Sequence, residues 1–347
     1  MKRLFLLFCS VVIMLSACSQ KVRYYTINGT AQGTTFHIVF KPVIATDSSF
    51  VAVRDTVQAI LDRIDLSVSG YNTASCLTSF NEQGTEIIDK IFLDNFVAAK
   101  RMYEESGGLF DASAAPLFDL WGFGFRAGME VTSQMVDSVR QFIGMDHFTV
   151  QVLQAANGQD SILLRRSDER CRLNFNAIAQ GYTADCIADK FTAMGIENFL
   201  IEIGGEIFAK GVNARGLPWA VGIDCPVDGN NTPGAVISAI VNIQDKGLVT
   251  SGDYRKFYLK DGKKISHSIN PKTGYPVQHN LLSVTVMADN ATIADGYATY
   301  LMVLGYEEAR KVVEKNENIE ALLIFSEGDS MKIWKSEGMN IVENSDI

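Results

Sequence analysis

The chain has 347 residues, 47% of them apolar, with 40 acidic side chains against 31 basic ones and a formal charge of −9. That apolar content excludes a disordered chain, and 28 Gly with only 7 Pro exclude a collagen-like one. An acidic balance without any Lys/Arg run excludes a nucleic-acid partner, because nothing would neutralise a phosphate backbone.

Lys2 and Arg3 precede an apolar run from Leu4 to Leu15, followed by Ser16, Ala17 and Cys18. A basic start, a core of about a dozen apolar residues and small residues before the cut describe a secretory signal. The run is shorter than the ~20 residues that span a bilayer. Leu15-Ser16-Ala17-Cys18 resembles the lipobox of bacterial lipoproteins. Residues 1–17 are therefore expected to be removed and Cys18 to carry lipid, with 18–25 as a tether and 26–347 as the folded domain. The expected location is a bacterial cell envelope, anchored in its membrane and facing the periplasm. Cys9 leaves with the signal, so Cys76, Cys171, Cys186 and Cys225 remain besides the lipid-bearing Cys18. They form no CxxC pair and have no His at ligand spacing, which argues against zinc and for buried free thiols.

Thr34–Phe40 is β-branched and aromatic and reads as a strand. Val53, Val57, Ile60, Leu61 and Ile64 recur at helical spacing, so an amphipathic helix is predicted near 50–66. A second helix is predicted over about Ile91–Glu105, stopping at Gly107-Gly108. Thr132 or Ser133 can cap a third that ends near Gly144, and 177–194 make a fourth, closed by Gly195. Strands are predicted at Phe199–Ile203, Trp219–Ile223, Val236–Ile243 and Leu281–Met287. Helices over Ala291–Leu304 and Tyr306–Lys315 follow, then strands Ala321–Phe325 and Met331–Trp334. Helices and strands alternate irregularly, so the fold class is α+β, mixed sheets flanked by helices, with no repeat or linker marking a second domain.

Gly122-Phe-Gly124-Phe-Arg-Ala127 superficially matches a dinucleotide fingerprint, but no strand of a βαβ unit precedes it. No GxxxxGK[ST], GxSxG or HExxH occurs. What remains is a series of polar and small-residue clusters. Asp295 and Thr299 lie four apart in Ala294-Asp-Gly-Tyr-Ala-Thr299 and share one helix face. Both are hard oxygen donors of the kind Mg²⁺ takes, although an acid near a helix start is as often dipole compensation. Thr250-Ser251-Gly252-Asp253-Tyr254 reads as a sharp turn after a strand, with two hydroxyls outward. His267 sits in a polar turn, Ser266-His-Ser-Ile-Asn-Pro-Lys-Thr-Gly274-Tyr-Pro276, where a ligand contact and a structural role both remain open. Phe175–Asp185 reads as a strand running into a helix N-terminus, which suits phosphate or else close helix packing.

Together these clusters resemble the ApbE-type FAD:protein FMN transferases, in order, from about Gly33 to Leu304. The matching blocks are Gln32-Gly33-Thr34-Thr35-Phe36, Ser69-Gly70-Tyr71-Asn72 through Ser79-Phe80-Asn81, Gly108-Leu-Phe-Asp111-Ala-Ser with Pro116-Leu117 and Trp121–Gly124, and Asn174–Asp185. They continue with Ile203-Gly204-Gly205-Glu206 and Gly211, Trp219–Pro226, Thr250–Tyr254, His267–Pro276 and Ala294–Thr299.

The resemblance implies a flavin transferase fold with its site in a central cleft, and a Mg²⁺-dependent enzyme. It would split FAD and transfer FMN to a Thr or Ser hydroxyl of an exported flavoprotein, releasing AMP. By the same resemblance the Ala177 carbonyl, Asp295 and Thr299 hold the metal. Flavin and adenine contacts fall on Gln32, Tyr71, Leu109, Phe110, Asp111, Asn174, Gln180, Thr250 and His267. A base for the acceptor hydroxyl is assigned to His267 or Asp253. Many relatives carry Lys in place of Gln180, an acid in place of Asn174 and Met in place of Gln32, which leaves more of the phosphate charge to the metal. Acceptors implied are exported subunits of sodium-pumping or electron-transport complexes. The same residues would also serve an FAD pyrophosphatase, with water as acceptor, or a non-catalytic FAD-binding lipoprotein.

Overall fold

A computed structural model describes residues 23–123, 130–154, 160–227, 230, 232, 234–254, 257–260 and 263–343. The signal, Cys18 and residues 19–22 of the tether lie outside the described residues, as do Gly124 and Ala127 of the glycine motif.

Eight antiparallel strands form the main sheet, in the order β1 (Tyr25–Ala31), β2 (Thr34–Phe40), β6 (Phe199–Ile203), β7 (Glu206–Lys210), β10 (Lys246–Gly252), β15 (Leu281–Ala288), β16 (Ile319–Glu327) and β17 (Ser330–Lys335). Side-chain alternation divides β6 between two cores. Phe199, Ile201 and Ile203 face a cluster with Ile38, Phe40, Val57 and Ile187. Leu200 faces the other way, toward Trp219, Val241 and Leu322.

Helices cover the first face. α1 (Asp47–Val68) is capped by Thr46 and Ser49 and buries Val53, Val57, Leu61 and Ile64, the stripe its spacing predicts. α2 (Cys76–Gln83), β3 (Thr85–Ile88) and α3 (Lys90–Glu105) follow. Then come α4 (Ala115–Leu120), α5 (Ser133–Val139), β4 (Phe148–Leu153) and β5 (Ser161–Arg166). α6 (Ala179–Ala193), α7 (Ala291–Leu304) and α8 (Tyr306–Lys315) complete the helices. β8 (Trp219–Asp224), β9 (Ile237–Ile243) and β18 (Ile341–Glu343) make a small sheet over the opposite face. β11 (Phe257–Lys260) pairs with β12 (Lys263–Ser266), and β13 (Ile269–Asn270) with β14 (Tyr275–Pro276).

Several expectations are corrected. β1 starts at Tyr25, and the Tyr24 hydroxyl donates to the Val212 carbonyl at 2.6 Å, so the expected tether is already folded by residue 24. The third helix stops at Val139 rather than near Gly144, whose φ of 121° no helix accommodates. No strand leads into α6; residues 171–178 are turns and irregular chain. Of the four thiols, Cys171 and Cys225 are buried, Cys76 and Cys186 are half-buried, and all four are free.

α7 is buried nearly all round, and small residues let its neighbours approach. A Cβ on Gly181 of α6 would lie 2.5 Å from the Ala291 carbonyl oxygen and 2.7 Å from its carbon. Those atoms are backbone and cannot swing aside. Gly181→Ala should therefore destabilise the fold by about 1–3 kcal/mol. A urea midpoint equal to that of the parent chain would refute this contact.

Candidate active site

Two hairpin turns and the start of α6 converge. The β1–β2 turn consists of Gln32 and Gly33, with φ of 52° and 74°, the geometry of a two-residue hairpin. Gly adopts it freely, whereas Gln there is uncommon. Gln32 Nε2 donates to Thr183 Oγ1 at 2.6 Å, which donates on to the Ala179 carbonyl at 2.6 Å. Gln32 Oε1 is buried without a partner among the described residues. An orphaned buried acceptor costs about 1–3 kcal/mol, which a ligand donor would recover. At the β6–β7 turn, the bare Gly204 backbone makes room for Gln180: a Cβ would lie 2.4 Å from its Nε2, 2.8 Å from Thr34 Cγ2 and 3.1 Å from Glu206 Oε2. The Gly204 N–H donates to the Thr35 carbonyl at 2.9 Å, joining the two turns. Residues Thr30–Thr35 line a shallow cavity of about 480 Å³ here.

The α6–α7 crossing lies next to these turns. Asp185 of α6 accepts the Ala291 and Thr292 N–H groups at 2.8 Å each and the Thr292 hydroxyl at 2.5 Å, so one helix caps the other. Asp295 is 4% exposed, and its Oδ2 accepts the Gly181 N–H at 3.3 Å. That N–H thus points away from the Ala177 carbonyl, which receives no hydrogen bond among the described residues. Thr299, one turn after Asp295, is half-buried. Burial pushes the Asp295 carboxyl up to about 7, against the Gly181 amide and with help from the Asp185 charge. Burial likewise raises Asp185 to about 6, opposed by its donors from α7. A desolvated carboxylate with one long hydrogen bond, an open carbonyl and a nearby hydroxyl are hard oxygen donors that fit Mg²⁺ completed by water and phosphate. No group of three or more His, Cys, Asp or Glu occurs among the described residues to hold a metal by side chains alone.

A neighbouring segment carries Asp111 and Asn174. The Asn174 N–H donates to the Ala112 carbonyl at 2.8 Å, and its Oδ1 accepts from the Asn176 N–H at 2.8 Å. Asp111 Oδ1 accepts from the Ser113 N–H and hydroxyl at 2.8 and 2.6 Å. Burial raises Asp111 to about 6, Ser113 lowering it and Asp146 adding to the rise. Leu109 is half-buried, but the Phe110 ring is 3% exposed within the core, and its N–H donates to Ser106 Oγ. The ring itself packs in the core. Tyr71 is 68% exposed in the turn after α1.

Thr250, Ser251 and Gly252 are not in a turn. They pair with Thr285, Val284 and Ser283 of β15, and the Thr250 and Thr285 hydroxyls lie 2.8 Å apart. Only Asp253 and Tyr254 turn. Asp253 Oδ1 accepts from Ser268 Oγ at 2.6 Å and lies 4.0 Å from His267 Nδ1. His267 packs edge-on to Phe123 at 6.3 Å. These residues adjoin the Asp111 segment through the Ala114–Leu117–Ile269 cluster.

Three positioning groups were missed. Thr183 and Asp185 lie within a segment whose spacing shows a helix, and Asp185 falls one turn from Gly181, a signal that was available. Asn81 pairs both ends of its amide with Leu173, at 2.9 Å to the carbonyl and 2.8 Å from the N–H, across 92 residues, which no local pattern reveals.

The geometry defines an α+β protein with a buried-carboxylate site at paired helix N-termini. The ApbE family model matches residues 32–323. The chain is 31% identical over 322 residues to an FAD:protein FMN transferase of Haemophilus influenzae, covering 91% of this chain and 90% of that one. It is 34% identical over 315 residues to an Escherichia coli K12 protein of the same name, covering 89% and 86%. The solved structure of the flavin transferase ApbE from Vibrio cholerae aligns with a TM-score of 0.77 at 30% identity, over 91% of this chain and 97% of that one. The chain belongs to the ApbE family.

The Asp295 shift has a sign that can be checked. A free aspartate titrates near 3.9, so the folded chain binds the proton more tightly than the unfolded one. The ionised form costs stability above about pH 7, and that cost vanishes below about pH 4. Without divalent cations, Asp295→Asn should raise the urea midpoint at pH 8 and leave it nearly unchanged at pH 4. A lowered midpoint at pH 8 would mean that a cationic group of the chain already pairs with Asp295.

Proposed function

We propose that this protein is an FAD:protein FMN transferase that attaches FMN to a Thr or Ser hydroxyl of an exported flavoprotein and releases AMP. Family membership supports the activity. The single observation that carries it on this chain is the buried Asp295 between the N-termini of α6 and α7.

Phosphoryl transfer asks for positioning and for neutralised charge on the phosphate oxygens. α6 follows Ile178 without a side-chain cap; the Ala179 and Gly181 N–H groups go to the Phe175 carbonyl and Asp295, which leaves the Gln180 N–H of its first turn to a pyrophosphate. The Ala177 carbonyl, Asp295 and Thr299 would hold Mg²⁺, which would neutralise the phosphate oxygens. Gln32 Oε1 accepts a ligand donor, and Gln180 carries no charge to meet the phosphates. Tyr71, Leu109, Asp111, Asn174, Thr250 and His267 contribute the remaining flavin and adenine contacts. The acceptor oxygen bonds to the FMN phosphorus, the bond from that phosphorus to the AMP oxygen breaks, and the hydroxyl proton passes to His267. Asp253 is occupied by Ser268 and better suited to favour the imidazolium than to take the proton itself. Cys18 anchors the protein in the envelope membrane, facing the periplasm, where exported subunits of sodium-pumping or electron-transport complexes are the acceptors.

Incubation with FAD, Mg²⁺ and a candidate acceptor should add the mass of FMN less one water to the acceptor and release AMP in equal amount. Free FMN with AMP would instead identify a pyrophosphatase, and unchanged FAD a binding protein. Asp295→Ala should abolish turnover, at least 100-fold by the scale of lost electrostatic stabilisation; full activity in that variant would remove the metal assignment.

A further inference from the structure

The register of four strands gives the molecule two distinct ends. Tyr25, Phe40, Phe199 and Lys210 form one row. Gly29, Phe36, Ile203 and Glu206 form the other, beside the Gln32-Gly33 and Gly204-Gly205 turns of the candidate site. Seven residue steps, from Tyr25 to Gln32, carry the chain about 24 Å from the first end to the turn of the candidate site.

The first described residue, Arg23, lies at the end remote from the site. That end exposes large apolar side chains: Val43 is 65% exposed, Ile44 64% and Leu217 53%. Their loops are tied together. The Lys41 N–H donates to the Asn198 carbonyl at 2.8 Å, and Asn198 Oδ1 accepts the Val212 N–H at 2.8 Å. Val43 packs at Gly195, where a Cβ would meet its Cγ2 at 3.6 Å. Tyr24 holds the Val212 carbonyl and packs edge-on to Trp219 at 5.9 Å. Arg23, Lys41 and Arg215 are exposed here with Lys210 partly so, against Asp47, Glu197 and Asp245, the last of which accepts the Gly211 N–H. In a chain of net charge −9, this end carries no acidic excess to repel anionic headgroups.

We propose that Val43, Ile44 and Leu217 form a membrane-contact surface, seated in the interface of the bilayer that holds the lipid on Cys18. The inference rests on the lipidation reading. Four residues, 19–22, separate Cys18 from Arg23, and five Cα steps reach at most about 18 Å. A tether that short keeps this end within reach of the headgroups, where exposed apolar side chains gain by burial in the acyl boundary. The candidate site then faces away from the membrane. The acceptor hydroxyl must be presented about 24 Å above the surface, by a domain that projects from the bilayer rather than by a segment lying on it.

The test uses the lipidated mature protein in phosphatidylethanolamine/phosphatidylglycerol vesicles, with and without dibrominated acyl chains. Ile44→Trp and Leu217→Trp each add an indole at the proposed surface. Val152→Trp adds one at a 58% exposed position on β4, away from this end. Bromolipid should quench the emission added at 44 and 217 about twofold and leave that at 152 unchanged. Equal quenching at all three positions overturns the proposal. An indole at 44 shielded from iodide but untouched by bromolipid would assign the surface to a second copy of the chain, and also overturns it. The mass of the N-terminal peptide separates the two readings. An unmodified Cys18 removes anchor and surface together, while lipid on Cys18 without quenching removes the surface alone.

Discussion

The site depends on the absence of one side chain. Because position 181 is glycine, α6 and the first turn of α7 meet backbone to backbone. At that crossing the Gly181 N–H reaches Asp295, and Asp185 reaches the first amides of α7. Two helix N-termini are thus brought to one place, with their partial positive charge. Within the same contact a carboxylate is stripped of water. The packing that stabilises the helices is therefore also what leaves Asp295 in want of a cation.

The sheet supplies the rigidity this arrangement needs. Its turn at Gln32-Gly33 delivers Gln32 to the first turns of α6, and its turn at Gly204-Gly205 leaves room for the Gln180 side chain of that helix. β10 runs on past the end of its pairing with β7, where Leu248 is level with Ile207, and carries Thr250 to the level of the β6–β7 turn. Arg166 fixes the approach to Asn174 from behind, donating to the Asn81 and Cys171 carbonyls at 2.7 and 2.9 Å. Burial lowers the pKa of this guanidinium, whose partners are carbonyls rather than acids. Its contribution is hydrogen bonding to chain that would otherwise be loose.

Elements with strong periodicity were legible in the sequence. α7, α8 and β6 have the bounds their patterns predict, because the first two carry clear caps or stripes and the third is a run of buried apolar residues. β4 was not legible: five of its six residues are at least partly exposed, so no alternation marks it. Thr250–Gly252 were misplaced for the opposite reason. Polar, turn-forming residues were held in a strand by partners on β15, and tertiary pairing overrode local preference. In the site, Asp295 and Thr299 were visible through their spacing. Gln32 followed from its block alone, since nothing in a residue string tells that its amide reaches α6.

On the proposed function, Gln32 sets folding against ligand binding. Held at a φ of 52° with its Oε1 buried and unpaired, it spends stability that a glycine or an asparagine in the turn would keep. A search for variants that merely survive heat should converge on this position early, and each improvement it finds there would remove the buried acceptor proposed to meet the ligand. Thermal selection on this scaffold would need a simultaneous screen for turnover, because stability alone rewards the loss of that acceptor.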